Sequence, residues 1–386
     1  MTPGARVAAA IEILHDMTDG LAAEQALTRW ARRSRFAGSK DRAAIRDYVF
    51  DVLRQRRTAA HYGKSDSPRA LMIGLLYAQG ADLDALFNAE GHAPVALTEA
   101  EKSFPNPPTD DATLSNLPDW LAPHFDRSLG ALSGATKQAL QDRAPICLRV
   151  NTSKIGRDEI CENLRSEGIE TALNPICDTA LTVLKGARKI RNSNAYLEGL
   201  VELQDASSQA VVAALPSGGK VLDYCAGGGG KALALAADPG RQVWAHDIEP
   251  RRMSDLPARA HRADAQITQI ATSELSQTAP FDVVLCDAPC SGSGAWRRAA
   301  QSKWTLTPER LVELTEIQDD ILDNASLLVA EGGMLCFATC SVLKVENEDR
   351  VTAFCQRNPA WKVSYQSRFN VGPQGDGFFA AHLTRD

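Results

Sequence analysis

Two cysteines and an aspartate stand where apolar segments of the chain give way to short polar ones. Asp287 and Cys290 belong to the stretch DAPCSGSG, and Cys340 is the middle residue of TCS. A thiolate adds well to soft conjugated carbons such as C6 of cytosine, which makes C5 nucleophilic enough to accept a methyl group. A second thiol can then assist removal of the C5 proton. The pair therefore indicates chemistry on a pyrimidine, with Asp287 placed to bond N3 and the exocyclic amine.

The remaining cysteines have a simpler interpretation. Cysteines beside or inside apolar runs are usually small buried side chains, and spacing alone favours this for Cys225, Cys286 and Cys336. Cys290 and Cys340 differ because each follows a predicted strand beside Gly, Ser or Pro, although spacing alone leaves a packing role open for them. Nine cysteines without a CxxC pair favour reduced thiols over a disulfide framework and argue against a zinc site.

A glycine-rich segment supplies the second candidate site. Residues 225–231 read CAGGGGK, and Asp247 ends the next predicted strand. Glycines let a backbone approach a ligand closely, and a carboxylate at the second strand commonly binds ribose hydroxyls. The spacing Gly227-x-Gly229-x-x-Ala232 also satisfies a dinucleotide pattern. The segment predicts a nucleotide or S-adenosylmethionine site, and an NAD-dependent oxidoreductase is the alternative.

The elements that position these residues alternate between strand and helix. Apolar runs that predict strands occur at 221–224, 242–245, 281–286 and 333–338. Helical patterns separate them, which predicts an α/β fold with a doubly wound, mostly parallel, Rossmann-like sheet. Since the carboxyl ends of parallel strands meet at one edge, both thiols, Asp287 and the glycine segment should face one cavity.

The rest of the chain predicts further domains. Residues 1–104 show helical periodicity, 105–117 form a Pro-rich linker, 118–205 predict a small α/β (RRM-like) subdomain, and 206–386 contain the cofactor site. No apolar run approaches the ~18 residues of a membrane span. The N-terminal residues lack a secretory pattern, so we expect a cytoplasmic protein.

A basic segment contrasts with the overall net charge of -6. Between positions 29 and 57 there are ten Lys and Arg residues against three acids. This excess predicts contacts with RNA phosphates, although a solvated helical face is the alternative. The residues predicted to contact RNA are Arg29, Arg32, Arg33, Arg35, Lys40 and Arg42.

Several motifs together resemble the Sun/RsmB family of RNA cytosine-5 methyltransferases. Besides DAPCSGSG and TCS, the matching motifs are LRVN at 148–151, LQDASSQ at 203–209, KW at 303–304, ENE at 346–348 and GFFA at 377–380. The resemblance covers roughly residues 117–386. The helical N-terminus, with GSKDR at 38–42, resembles more weakly the NusB-like domain of the bacterial ribosomal-RNA branch.

The resemblance implies a role for each matching position. Cys340 would be the covalent nucleophile, Cys290 would promote product release, and Asp287 would contact substrate and cofactor. The cofactor would be S-adenosylmethionine, with its methionine part held by Cys225, Ala226, Gly227, Gly228, Gly229, Gly230 and Lys231, and its ribose by Asp247. The implied substrate is RNA, with 16S rRNA favoured and tRNA as the alternative.

Two departures from the family pattern concern the cofactor site. The family's loop usually contains Ala-Pro before its paired glycines, whereas Gly227 and Gly228 occur here, so we expect a less rigid loop and weaker cofactor binding. The family also has an aspartate after its third strand that contacts adenine, and residues 268–273 contain none. A catalytically weakened RNA-binding or ribosome-assembly factor is therefore a third alternative.

Overall fold

The computed structural model describes residues 1–385, and their contacts divide the chain into two units. The first contains Met1–Asp126, Gly130–Arg143 and Trp296–Thr305. The second contains Arg127–Leu129, Ala144–Ala295 and the chain from Leu306 onward. No helix among the described residues is long and apolar enough to cross a membrane.

Helices form the first unit, as the periodicity of residues 1–104 predicts. Its first helix starts at a clear signal, because the Thr2 hydroxyl accepts a hydrogen bond from Ala5 N and Pro3 occupies the first turn. The apolar stripes of these helices meet in one core that includes Trp30 and Phe87. The helices are α1 (Pro3–Thr18), α2 (Ala23–Arg33), α3 (Ser39–Arg54), α4 (Arg56–Gly63), α5 (Pro68–Ala78), α6 (Leu83–Leu86), α7 (Glu99–Lys102), α8 (Asp111–Ser115), α9 (Ala122–Leu129) and α10 (Ser133–Ala139).

The Pro-rich stretch after residue 104 is held to the first unit. Asn116 Oδ1 accepts hydrogen bonds from Arg57 N at 3.0 Å and Thr58 N at 3.1 Å, and Asn116 Nδ2 donates to Gln141 at 2.9 Å. Asn116 is fully buried, so these bonds satisfy an amide that would otherwise be costly to bury. The contacts thus continue the first unit to Arg143, whereas the domain limits at 104, 117 and 205 stay predictions.

A small antiparallel sheet opens the second unit. Its strand order is β2-β3-β1-β4, and helix α11 covers it with Ile160 and Leu164, both fully buried. Short apolar runs at 146–150, 181–184 and 200–203 predict strands and the pattern from 157 to 168 predicts a helix, and all four are present within two residues at each end. The elements are β1 (Cys147–Val150), α11 (Arg157–Ser166), β2 (Glu170–Leu173), β3 (Ala180–Lys185), α12 (Asn194–Leu197) and β4 (Val201–Leu203).

The large sheet confirms the predicted α/β class. Its seven strands have the order β10-β11-β9-β8-β5-β6-β7. The strands from β9 to β7 pair in parallel, and β11 and β10 add an antiparallel edge. The strands are β5 (Gly219–Asp223), β6 (Arg241–Ala245), β7 (Ile267–Gln269), β8 (Phe281–Asp287), β9 (Val329–Thr339), β10 (Trp361–Phe369) and β11 (Phe378–Arg385).

Helices cover both faces of this sheet and enclose two apolar cores. Cys336 lies in one core and Cys286 in the other, and both are fully buried, which confirms their packing role. Thr307 followed by Pro308 is a helix-start signal in the sequence, and the cap is present, since the Thr307 hydroxyl accepts a hydrogen bond from Arg310 N. The helices of this unit are α13 (Ala206–Ala213), α14 (Gly230–Leu235), α15 (Leu256–Ala263), α16 (Leu275–Thr278), α18 (Pro308–Ser326) and α19 (Glu348–Arg357), and the chain forms α17 (Ser302–Thr305) between α16 and α18.

Helix α17 belongs to the first unit although it follows β8 in the chain. Within that unit Lys303 Nζ donates to Arg54 O at 2.8 Å and Trp304 Nε1 donates to Leu53 O at 2.7 Å. Ala300 is fully buried in the helical core. The segment Trp296–Thr305, directly after the DAPCSGSG stretch, is therefore part of the helical unit, an arrangement that periodicity did not predict.

Candidate active site

The two predicted thiols meet at the carboxyl edge of the large sheet. Cys290 follows β8 and Cys340 follows β9, which are parallel neighbours. Their sulfur atoms lie 3.5 Å apart, within hydrogen-bonding distance for sulfur. Both side chains are partly exposed, whereas Cys286 and Cys336, each four residues earlier in the chain, are buried. The sheet topology thus brings together two cysteines that are 50 residues apart in the chain.

The two thiols differ in their environment. The hydrogen bond with Cys340, followed by burial and the nearby Glu346 carboxylate, raises the pKa of the Cys290 thiol well above its ordinary value. Either sulfur can act as the donor in the contact between them, and the raised pKa keeps the Cys290 thiol protonated. Cys340 is also near enough to the Lys231 ammonium for their charges to interact. Lys231 therefore places a positive charge close to this sulfur.

Lys231 and Asp287 form a close ion pair beside the thiols. Lys231 Nζ lies 2.6 Å from Asp287 Oδ2, and the side chains are 7% and 32% exposed. Burial alone would lower the pKa of Lys231, but the carboxylates of Asp287 and Asp223 outweigh it and raise that pKa. Lys231 is therefore charged, and the Asp287 side chain remains partly open to solvent. Among residues 1–385 no group of three or more His, Cys, Asp or Glu is placed to hold a metal ion.

Asp223, at the end of β5, is a buried acid that the sequence reasoning did not include. It is fully buried, and neither carboxylate oxygen meets a donor with hydrogen-bond geometry. Burial, followed by the negative charge of Asp287, raises the pKa of Asp223 to about 7, and the Lys231 ammonium and the Ala232 N–H offset only part of this. An orphaned buried carboxylate at this position fits a cationic group of a ligand.

Of the predicted cofactor residues, Cys225 to Gly229 form the turn between β5 and α14, and Gly230 and Lys231 begin that helix. Two of its glycines need their conformational freedom: Gly227 has φ +50°, and Gly229 has φ +79° with Leu256 only 2.4 Å from where a Cβ would stand. Burial raises the pKa of the Cys225 thiol, which keeps it protonated and unreactive. The backbone of this turn is therefore its functional part.

Asp247 holds this turn from the end of β6. Its Oδ2 accepts from Gly227 N at 2.9 Å, and its Oδ1 accepts from Glu249 N at 3.0 Å. Arg252 Nη1 lies 3.3 Å from the same Oδ2 and is 54% exposed. The carboxylate is itself buried, so a ribose that bonds Asp247 would take the place of the Arg252 guanidinium.

Two arginines brace the carbonyl side of the glycine turn. Arg149 Nη1, from β1, donates to Gly230 O at 2.8 Å. Arg259, from α15, donates to Gly228 O, and its Nε lies 3.4 Å from Glu202 on β4. The turn that lacks the family's proline is therefore held from outside by side chains. The sequence predicts a less rigid turn, and these hydrogen bonds from β1 and α15 restrain it in part.

A buried polar network positions the loops that carry the thiols. Glu346 is fully buried: its Oε2 accepts from Ser291 Oγ and Ser341 Oγ, each at 2.5 Å, and its Oε1 accepts from Ser291 N at 2.7 Å. Asn347 accepts from Thr339 Oγ1 at 2.5 Å. Burial raises the pKa of Glu346 despite these bonds. Ser291 and Ser341 each adjoin a catalytic candidate, so the ENE motif fixes the separation of the two thiols.

A close backbone contact fixes the same loop from the other side. Gly377 N donates to Gly294 O at 2.9 Å, and Gly294 N donates to Cys340 O at 2.9 Å. A Cβ on Gly294 would stand 2.1 Å from Gly377 O, which excludes any larger residue there. The GFFA and DAPCSGSG motifs are thus two sides of one backbone contact. The reason for a glycine in each motif becomes apparent only when the two segments are paired in the folded chain.

The predicted RNA-binding residues lie in the first unit on α2, α3 and their connection. All six are exposed. Arg29, Arg32 and Arg33 line an open groove of about 820 Å³. Arg33 pairs with Glu12 and, at 3.5 Å, with Asp16, and Arg42 donates to a backbone carbonyl. Of these six, Arg29, Arg32, Arg35 and Lys40 have neither an ion pair nor a side-chain hydrogen bond among residues 1–385.

Other basic residues of the 29–57 segment are neutralised within the first unit. Arg46 pairs with Glu24, Arg56 with Asp66, and Arg57 with Asp119. Arg54 is buried and bonds Asp51 at 2.6 Å. The positive surface is therefore narrower than the residue count indicated, and it centres on the α2–α3 connection.

Comparison with known proteins places these features in a family. A family model described as 16S rRNA methyltransferase RsmB/F matches residues 210–384, and one described as its ferredoxin-like domain matches residues 117–190. The ribosomal RNA small subunit methyltransferase B of Salmonella newport is 33% identical over 293 residues, which is 72% of this chain and 68% of that protein. Its Citrobacter koseri counterpart is 33% identical over 69% of this chain, and the match spans 66% of that protein's length.

Solved structures share the fold. PH0851 aligns with a TM-score of 0.78 at 21% identity and covers 100% of this chain and 99% of its own. A methyltransferase homologue from Pyrococcus horikoshii aligns with a TM-score of 0.63 at 22% identity over 71% of this chain and 97% of its own. These two confirm the fold, and the sequence matches go further: the chain belongs to the RsmB/F family of 16S rRNA methyltransferases.

Proposed function

We propose that this protein methylates C5 of a cytosine in 16S rRNA with S-adenosylmethionine, through a covalent adduct between Cys340 and C6 of the base. The observation that carries the proposal is the Cys290–Cys340 pair, 3.5 Å apart and beside the Lys231–Asp287 ion pair. The related Salmonella and Citrobacter proteins, named ribosomal RNA small subunit methyltransferase B, support the choice of RNA.

The chemistry assigns a different step to each thiol. The Cys340 thiolate, stabilised by Lys231, adds to C6, and the electron pair moves toward C5. After methylation, C5 carries both a proton and the new methyl group. Cys290, once its own proton has passed to solvent, is a strong base because its pKa is high, and it accepts the C5 proton. The C5–C6 double bond re-forms, the C6–sulfur bond breaks, and Cys340 returns as a thiolate.

The cofactor supplies the methyl group as a sulfonium when bound. The residues present fit it: the orphaned carboxylate of Asp223 suits a cationic group, the turn at 225–231 brings its backbone close, and Asp247 suits ribose hydroxyls. Asp287 remains exposed enough to bond the amine of cytosine while Lys231 holds its other oxygen. RNA phosphates would bind Arg29, Arg32, Arg35 and Lys40 in the first unit.

The two rivals explain fewer observations. An NAD-dependent oxidoreductase uses the glycine turn and Asp247 but has no role for the paired thiols. An inactive assembly factor has no need of the buried Glu346 network, which costs desolvation and serves to hold both thiol loops. A tRNA substrate would use the same site, and only the RNA assayed distinguishes it.

The test is methyl transfer from tritiated S-adenosylmethionine to undermethylated 16S rRNA, with the label mapped to the base. Wild type should place it on C5 of cytosine. Cys340→Ala should abolish transfer, whereas Cys290→Ala should accumulate a protein–RNA adduct that survives denaturation. Cys355→Ala is the matched control, since this partly exposed thiol lies on α19 outside the pair.

The outcome separates the alternatives. Transfer that survives Cys340→Ala would refute the covalent mechanism. Cofactor binding without transfer to 16S rRNA or tRNA would favour the assembly factor. NAD binding without S-adenosylmethionine binding would favour the oxidoreductase.

A further inference from the structure

A buried histidine and an exposed threonine meet at the carboxyl edge of the large sheet, and the function proposed above uses neither. His246 is 1% exposed and immediately precedes Asp247. Its Nδ1 lies 2.7 Å from Tyr224 O and its Nε2 lies 2.9 Å from Thr272 Oγ1. Because β6 and β7 are parallel neighbours, Thr272 after β7 lies at the same edge as Asp247 after β6.

The two hydrogen bonds determine which way the threonine proton points. A carbonyl oxygen only accepts, so Nδ1 of His246 carries the hydrogen. In a neutral imidazole Nε2 is then the acceptor, and the Thr272 hydroxyl must donate to it. Thr272 Oγ1 is thereby left with lone pairs only. Since Thr272 is exposed, this oxygen is an oriented acceptor open to a ligand.

The order of the strands indicates which part of the cofactor reaches Thr272. The glycine turn follows β5, and Asp247, suited to ribose, follows β6, so a base attached to that ribose continues toward β7. Ile248, next to Asp247, is 79% exposed and offers an apolar surface for a flat ring. Residues 268–273 contain no acid that could accept from the base.

We propose that Thr272, oriented by His246, accepts a hydrogen bond from the exocyclic amine of the cofactor's adenine and so selects an amino purine over an oxo purine. The oxo oxygen of an oxo purine is itself an acceptor, so it would face the Thr272 oxygen without forming a hydrogen bond. This inference rests on the proposed cofactor. The base would then be selected by the Thr272 hydroxyl, oriented by the His246 imidazole, without a carboxylate at residues 268–273.

The test compares the dissociation constants of S-adenosylhomocysteine and S-inosylhomocysteine, measured by titration calorimetry at pH 8. Wild type should bind the adenosyl compound about tenfold more tightly. Thr272→Val, close in shape but without the acceptor, should weaken the adenosyl compound and bring the ratio near one. Thr272→Ser should keep the preference.

The control is Thr268→Val, which removes another exposed threonine hydroxyl from β7 and should leave the ratio unchanged. Equal binding of both compounds by wild type, or a preference that survives Thr272→Val, would overturn the proposal. Absence of binding of either compound would refute the cofactor assignment itself. A normal ratio without methyl transfer would refute the RNA chemistry and leave the role of Thr272 intact.

Discussion

Replacing Asp223 with asparagine should stabilise the cofactor-free protein, and more at high pH than at low pH. Burial raises the carboxyl pKa from its ordinary value of 3.8 to about 7. The folded state therefore holds the proton more tightly than the unfolded state. Stability is retained below pH 4 and is lost as the pH rises toward 7. Asparagine has a similar shape and carries no charge, so its stability lacks this dependence.

The magnitude follows from the difference between the two pKa values. About three pKa units correspond to ~4 kcal/mol, so Asp223→Asn should gain little at pH 4.5 and up to ~4 kcal/mol at pH 8. Bound cofactor supplies a positive charge to Asp223, so S-adenosylmethionine should stabilise wild type more than the variant. Stability of the empty protein and affinity for the ligand thus change in opposite directions at this position.

The assay is urea unfolding at pH 4.5 and pH 8, followed by circular dichroism with and without S-adenosylmethionine. Asp264→Asn is the control, because this exposed acid lies in a left-handed conformation that asparagine also adopts. The same free-energy change at both pH values, or a loss of stability at pH 8, would refute the reasoning. Unchanged cofactor affinity would show that Asp223 does not face the ligand's cation.

Three further changes test other parts of the molecule. Glu346→Ala should cost ~3 to 5 kcal/mol and lower the single-turnover rate about 100-fold, because the donors around it lose their acceptor; Glu346→Gln should cost less, and equal effects on both measurements would contradict this. Gly228→Pro should tighten S-adenosylhomocysteine binding about two- to fivefold in calorimetry, and it should partly restore that binding in the Arg259→Ala variant. Proline is tolerated there because the Gly228 N–H has no partner among the described residues and its φ is not left-handed. Weaker binding would contradict this. Lys303→Met should stabilise the protein by at most ~5 kcal/mol at pH 6, because burial lowers the pKa of Lys303 to about 7; the gap should close as the pH rises from 7 to 10, and a constant gap in urea unfolding would exclude this cause.

The sequence by itself determined the elements whose signals are local. Apolar runs and capping residues predicted four of the seven large-sheet strands and the helix that starts after Thr307. The types of Cys290, Cys340 and Asp287 indicated the chemistry, since few reactions need two thiols at strand ends. The strands β7, β10 and β11 were missed. The residues of β11 are buried on both faces, so no alternation marks that strand.

Tertiary structure decided what depends on distant partners. The separation of the two thiols follows from the parallel pairing of β8 and β9. The Asp223 carboxylate is orphaned because the groups packed around it place no donor in hydrogen-bond geometry. A hydrogen bond between His246 and Thr272, 26 residues apart, orients an acceptor that neither residue specifies alone. Likewise, five of the ten basic residues of the 29–57 segment form ion pairs with acids of the first unit. Residue type sets the chemistry that is available, whereas burial and pairing set the protonation and orientation in which it acts.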